Sequence, residues 1–360
     1  MSHLPIAFFV SPHGYGHAAR AAALIEALAS RDDGLEPHLF TAVPRWFFDE
    51  SLSRRYRYHE LVSDVGLVQR SSLEEDPAAT VLELERFWND ASRVTDELVR
   101  TLGELGVRAV VADIAPLGLR VARQADLPSF LIENFTWQWI YRGYLDSEPR
   151  LAAFADLFEA ETGAADHHLQ VEPFCEAAPG AAHLPPVSRR PRVAREAVRA
   201  KLEIDRPAVL VTMGGFGWTY TFVERLRSRS DLVFVVPGAS DDILFEDNLR
   251  LLPHHSEYYH PDLVSSVDLV VGKLGYSTVA EAYRAGVPFA YVERPRFRES
   301  EVLAEFVERE LPCLKIRADE FEAASWVQDL EGLARGERRQ PTTRDGAEAA
   351  AALILSALQS

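Results

Sequence analysis

Two short runs, far apart in a chain of 360 residues, hold the residue types that group-transfer chemistry needs. Near the start, Ser11-Pro12-His13-Gly14-Tyr15-Gly16-His17 sets two histidines in a glycine turn. Histidine is suited to taking a proton at neutral pH because its unperturbed pKa lies near about 6.5. Near the end, Lys273-Leu274-Gly275-Tyr276-Ser277-Thr278 puts a cation and a glycine ahead of a predicted helix start. The N–H groups and dipole of such a start favour a phosphate, with Lys273 adding a full charge. Glu281 follows one helical turn after Thr278, where a carboxylate suits the two hydroxyls of a ribose.

These groups need a scaffold that presents them, and the hydrophobic pattern supplies one. Apolar runs at 4–10, 39–42, 107–112 and 129–132 predict buried strands, with helices over 18–29 and 78–105. A Pro-rich segment at 172–193 breaks the pattern, and the alternation then restarts. Strands are predicted at 208–212, 232–236, 269–271 and 289–292, with helices over 277–285 and 346–358. Alternating strands and helices predict an α/β fold with parallel sheets, in two domains around the Pro-rich linker.

In such sheets ligands bind at the carboxyl ends of strands, which is where His13 and His17 fall. Asp113 ends the strand Val110-Val111-Ala112. It either fixes the tautomer of His17 or caps the following helix. Gly14-x-Gly16-x-x-Ala19 also fits a dinucleotide fingerprint, which expects an acidic residue at the end of the second strand. That strand ends in Phe40-Thr41-Ala42, so the NAD reading loses most of its weight, with Asp32 and Asp33 the acidic residues that keep it open, while Gly14 and Gly16 keep a phosphate-facing role. A second glycine turn at Gly214 and Gly215 follows the first strand of the second half and is placed to close over a diphosphate.

Other residues divide between binding and packing. Tyr258 and Tyr259, with His260, either line a nucleobase or belong to a half-buried loop. Asn134, Trp137 and Trp139, with His13, are candidates for an acceptor surface, although Trp137 and Tyr141 also have the i, i+4 spacing of core residues. No Asp-x-Asp stands at a strand end, and the pairs His167-His168 and His254-His255 would diverge on a strand, so no metal is expected.

A net charge of −17 argues against a protein that wraps nucleic acid. Two cysteines are too few for a disulfide framework and fit a reducing compartment. No stretch reaches the length of a membrane span, and the expected location is cytoplasmic. The oligomeric state is not legible.

The run Lys273 to Glu281, with Ala285-Gly286-Val287-Pro288 behind it, resembles the donor-binding signature of GT-B glycosyltransferases that use UDP-sugars. In that signature a histidine stands where Lys273 stands, while Gly275, Thr278 and Glu281 match. The resemblance implies two Rossmann-like domains facing across a cleft: 1–187 with the catalytic base, 188–340 for the donor, and a last helix, 341–360, returning to the first. It implies His17 as base with Asp113 as its partner, and Glu299 and Ser300 near the donor sugar. Retaining enzymes of the common type carry a glutamate eight positions before the ribose glutamate. Lys273 occupies that position, which implies inversion.

A broader likeness, carried by the segments 12–20, 64–69, 133–141 and 272–281, is to the glycosyltransferase-like N-terminal region of plant L-arabinokinases. The phosphate loop of their kinase half has no counterpart in these residues. The expected activity is sugar transfer from a nucleotide diphosphate, probed against two alternatives: a GT-B sugar-nucleotide epimerase or hydrolase, and a non-catalytic sugar-nucleotide sensor. No cofactor beyond the nucleotide-sugar co-substrate is expected.

Overall fold

Residues Leu4–Val10 form strand β1, and every side chain from Ile6 onward is buried, as a parallel strand covered on both faces requires. The structure is a computed structural model that describes residues 3–71, 74–214, 218–292, 294 and 297–359. The chain divides into two units, Met1–Ser188 with Arg344–Ser360, and Arg189–Thr343.

In the first unit β1 is joined by β2 (Leu35–Thr41), β3 (Arg57–Glu60), β4 (Ala109–Asp113), β5 (Ser129–Glu133), β6 (His167–Val171) and β7 (Ala182–Leu184). Their order is β3-β2-β1-β4-β5-β6-β7, and every pair is parallel. Strand order reverses between β1 and β4, which opens a crevice at their carboxyl ends. Val10 pairs with Asp113 in that register, so the loop after β1 and the last residue of β4 arrive together. Helix α1 (Tyr15–Ala29) leaves the crevice and packs its alanine-rich surface on β1, β2 and the last helix of the chain.

The helix expected over 78–105 is two, α2 (Pro77–Asn89) and α3 (Ala91–Glu104). Asp90 separates them at φ −102°, ψ 0°, outside the α-helical region. Three strands without a clean apolar run, β3, β6 and β7, were not predicted. They form the two ends of the sheet, where exposed and half-buried positions, all four of Arg-Tyr-His-Glu and the first two of His-His-Leu-Gln-Val, break up any apolar run.

The second unit repeats the plan with β8 (Ala208–Thr212), β9 (Val233–Pro237), β10 (Leu244–Glu246), β11 (Leu249–Leu252), β12 (Leu269–Lys273), β13 (Phe289–Val292) and β14 (Cys313–Ile316). The order is β10-β11-β9-β8-β12-β13-β14, antiparallel only between β10 and β11. Here the reversal lies between β8 and β12, whose ends carry the turn at Gly214 and Lys273. Gly272 is needed beside this point, since a Cβ there would stand 2.1 Å from the Thr212 carbonyl. No helix among the described residues is long and apolar enough to cross a membrane.

Candidate active site

In the first unit, the turn after β1 depends on Gly14 at φ 77°, which reverses the chain so that α1 begins at Tyr15. His17 sits in the first turn of α1, 7% exposed, with Asp113 1% exposed at the end of β4. His17 Nδ1 lies 2.8 Å from Asp113 Oδ1. A carboxylate accepts only, so Nδ1 carries the proton and Nε2 is the basic nitrogen.

Arg20, one turn along α1, donates from Nε to Asp113 Oδ2 at 2.7 Å and from Nη2 to Oδ1 at 2.5 Å. Burial opposes the charge on Asp113, but Arg20 and His17 outweigh it and hold the carboxyl below the usual carboxylate range. Arg20 is fixed in turn by Asn134, whose Oδ1 accepts from Nη1 and whose Nδ2 donates to the carbonyls of Val171 at 2.6 Å and Pro173 at 3.2 Å.

A second buried carboxylate braces the same loop. Asp64 accepts from Ser11 Oγ at 2.9 Å and from Trp137 Nε1 at 2.8 Å. Burial pushes its pKa up to about 6, with Asp113 adding to the effect. His13 stands edge-on to Trp137 at 5.1 Å, and its Nε2 is 3.2 Å from Gln69 Nε2. A Cβ on Gly66, which has φ +66°, would stand 2.7 Å from His13 Nδ1, so both conformation and space reserve that position for glycine.

Of the acceptor candidates, Asn134 and Trp137 are buried in this bracing and His13 is half-buried beside them. Trp139 lines a separate cavity of about 550 Å³ with Phe135, Glu133 and His168. Phe135 also meets the His17 ring at 5.9 Å.

In the second unit, β12 delivers Lys273 and helix α9 (Tyr276–Ala285) starts at Gly275 without a side-chain cap. A Cβ on Gly275 would meet nothing within 4 Å, so space is open before the first N–H groups of α9, those of Tyr276, Ser277 and Thr278. Lys273 crosses the Gly214 turn closely, its Cε 3.0 Å from where a Gly214 Cβ would be. Burial, with Arg294 adding to it and Glu299 opposing, lowers the Lys273 ammonium to about 7. Gly215 lies outside the described residues.

Glu281, 3% exposed on α9, accepts from Arg189 Nε at 3.1 Å and from His260 Nδ1 at 2.7 Å. Burial opposes its charge, yet Arg189 and His260 hold its carboxyl below the usual range. Tyr259 carries Arg189 and Arg192 over its ring at 5.1 and 4.5 Å, and Tyr258 carries Lys201 at 4.6 Å. Glu299 is half-buried ahead of helix α10 (Ser300–Glu310), and Ser300 is buried in its first turn.

No family model matches the sequence. The chain is 29% identical to L-arabinokinase of Arabidopsis thaliana over 324 residues, covering 85% of this chain and 30% of that protein. It thus spans less than a third of the length of that curated relative. Among solved structures, the glycosyltransferase SnogD from Streptomyces nogalater superposes with a TM-score of 0.61 at 20% identity, over 99% of this chain and 100% of that one. A UDP-glucosyltransferase from Polygonum tinctorium gives 0.63 at 15% identity, with both chains fully covered.

The fold is GT-B. Each GT-B half therefore carries one of the two motifs at its own strand-order reversal. Sequence reasoning assigned no role to Arg20, Asp64 or Arg189, and set His260 beside Tyr258 and Tyr259 as a candidate nucleobase contact rather than a partner of Glu281. Arg20 had a signal, its i, i+3 spacing from His17. Asp64 stands in the 64–69 run that carries the broader likeness, and Arg189 had no signal, because it reaches its partner through tertiary structure alone.

Proposed function

We propose that this GT-B chain is an inverting, metal-independent glycosyltransferase that moves a sugar from a UDP-linked donor to an acceptor hydroxyl. The observation that carries the reading is the buried pair His17 and Asp113 at 2.8 Å, set at the crevice of a parallel sheet. With Nδ1–H given to Asp113, His17 Nε2 takes the proton of the acceptor hydroxyl as that oxygen attacks the anomeric carbon. The bond from that carbon to the diphosphate breaks on the opposite face, and the diphosphate leaves with the electron pair. Lys273 and the N–H groups that start α9 take up the leaving charge, and Glu281 meets the ribose. Such charge stabilisation is commonly the largest share of catalysis. The UDP assignment draws on the resemblance of the 273–281 run and on the likeness to a UDP-glucosyltransferase.

A thermal-shift screen of nucleotides and nucleotide sugars identifies the donor, since a ligand bound only by the folded state raises the midpoint. Transfer is then measured with a panel of hydroxyl acceptors. His17→Ala should keep donor affinity and lose transfer by roughly a hundredfold or more, with Asp113→Asn losing less. Transfer by His17→Ala at the parent rate refutes the base assignment. Donor consumption that needs no acceptor would favour the hydrolase or epimerase reading instead.

A further inference from the structure

The carboxylate behind His17 is shared with a permanent cation. Asp113 Oδ1 accepts from His17 Nδ1 at 2.8 Å and from Arg20 Nη2 at 2.5 Å, while Oδ2 accepts from Arg20 Nε at 2.7 Å. Arg20 Nη2 also lies 3.2 Å from His17 Nδ1, so the guanidinium stands against both members of the pair. All three side chains are buried, Arg20 at 5% exposure. The cation is held on a fixed mount. Its Nη1 donates to Asn134 Oδ1, and the Asn134 amide is tied in turn to the carbonyls of Val171 and Pro173.

Counting charge shows what this mount does. With His17 neutral, Arg20 and Asp113 cancel, and a proton added to the ring leaves a net positive charge in a site with little water to spread it. Without Arg20 the same proton would turn a net negative site neutral. Burial disfavours net charge and a lone carboxylate favours a protonated neighbour, so Asp113 by itself promotes a ring that already holds its proton. Arg20 opposes that. Two further titratable groups stand near the pair: Asp64, after β3, which counters Arg20 where it is ionised, and His13, which shares the Trp137 ring with His17. Asn134, Phe135 and Trp137, after β5, are neutral.

We propose that Arg20 is a positioning residue for transfer, whose buried charge keeps His17 without a proton and ready to take one from the acceptor hydroxyl. This rests on the reading of His17 as the base.

The test reads the ring itself. In the full chain with histidine-selective 15N labelling, and with His17 assigned from His17→Ala, NMR follows ring protonation against pH in the parent, Arg20→Met and Arg20→Lys. Circular dichroism checks that each is folded. In Arg20→Met the His17 ring should take up its proton about 1 to 3 pH units higher than in the parent, the scale of one adjacent charge. Arg20→Lys keeps the charge and should recover most of that shift, and the shift should persist in an Asp64→Asn background. A ring that does not move in a folded Arg20→Met overturns the inference. Where methionine does not fold, Arg20→Gln keeps an N–H for Asp113, drops the charge and is read in the same way. Transfer, followed against pH with the donor and acceptor that the screens select, should lose its acid side over the same interval in the neutral variants. An acid side that stays in place while the ring moves overturns the role in transfer. The ring titration needs neither donor nor acceptor, so it judges Arg20 separately from the base reading, which transfer by His17→Ala decides.

Discussion

At the scale of single residues, the donor role proposed for Lys273 would tie ionisation to binding. Its ammonium titrates at about 7, because burial and the nearby Arg294 disfavour its charge. A diphosphate beside it favours the charged form, so above neutrality binding takes up a proton. Affinity for a UDP-sugar, whose diphosphate does not titrate in this range, should therefore fall between about pH 7 and pH 8.5, approaching tenfold per pH unit. Lys273→Arg keeps its charge throughout and should flatten the profile. Calorimetry at several pH values checks both, and a parent whose affinity is flat with pH places Lys273 away from the phosphates. The same kind of reasoning explains Asp113, which stays ionised in a buried site because Arg20 and His17 share it. It also shows where residue type alone misleads: Glu281 reads as an open acceptor in the sequence, and its two partners become visible only when the 189–193 segment and helix α8 (His260–Ser266) are folded against it.

At the scale of elements, the central strands were legible and the ends of the sheets were not. The apolar run of β1 and the boundaries of β8 and β13 follow from residue type, since central parallel strands are buried on both faces. Strand β3 is Arg-Tyr-His-Glu and pairs only with β2, where His59 stacks on Phe40 at 4.3 Å and its Nε2 meets His38 Nδ1 at 3.1 Å. A histidine paired with a histidine leaves no periodic signal. This pairing has a pH consequence. Burial, with His59 and Arg57 adding and Glu36 opposing, pushes His38 down to about 4. Between about pH 6.5 and pH 4 the unfolded chain binds a proton there that the folded strand refuses, so this contribution to stability falls as pH falls. Asp64, raised to about 6, acts in the opposite sense, because its folded form holds a proton that the unfolded chain gives up. The clean measurement is therefore a difference: His38→Gln should lose less stability than the parent between pH 6.5 and about pH 4 in urea titrations. Parallel losses in the two proteins would show that His38 is not the group responsible.

At the scale of the whole molecule, the chain builds the first unit, leaves it after Ser188, completes the second by Thr343 and returns for a last helix, α11 (Gly346–Gln359). The cores keep the same division. Ala347, Ala350, Ala351 and Ile354 join the cluster around Ile6, Leu24 and Leu28, while the described residues of the cluster around Leu210, Val270 and Phe289 lie between Val198 and Cys313. Gly346 fits the return because a Cβ there would stand 2.0 Å from the Pro185 carbonyl. Two units with separate cores should unfold as two transitions. Ile354→Ala removes buried side-chain volume from the first core at a cost of about 2 to 4 kcal/mol, so it should lower one calorimetric transition and leave the other in place. Nucleotide should do the complementary thing, raising the transition that Ile354→Ala leaves alone, because the proposed donor contacts at Lys273, α9 and Glu281 all belong to the second unit. Should both transitions move together in either experiment, the two cores are coupled more strongly than their separate residue sets imply.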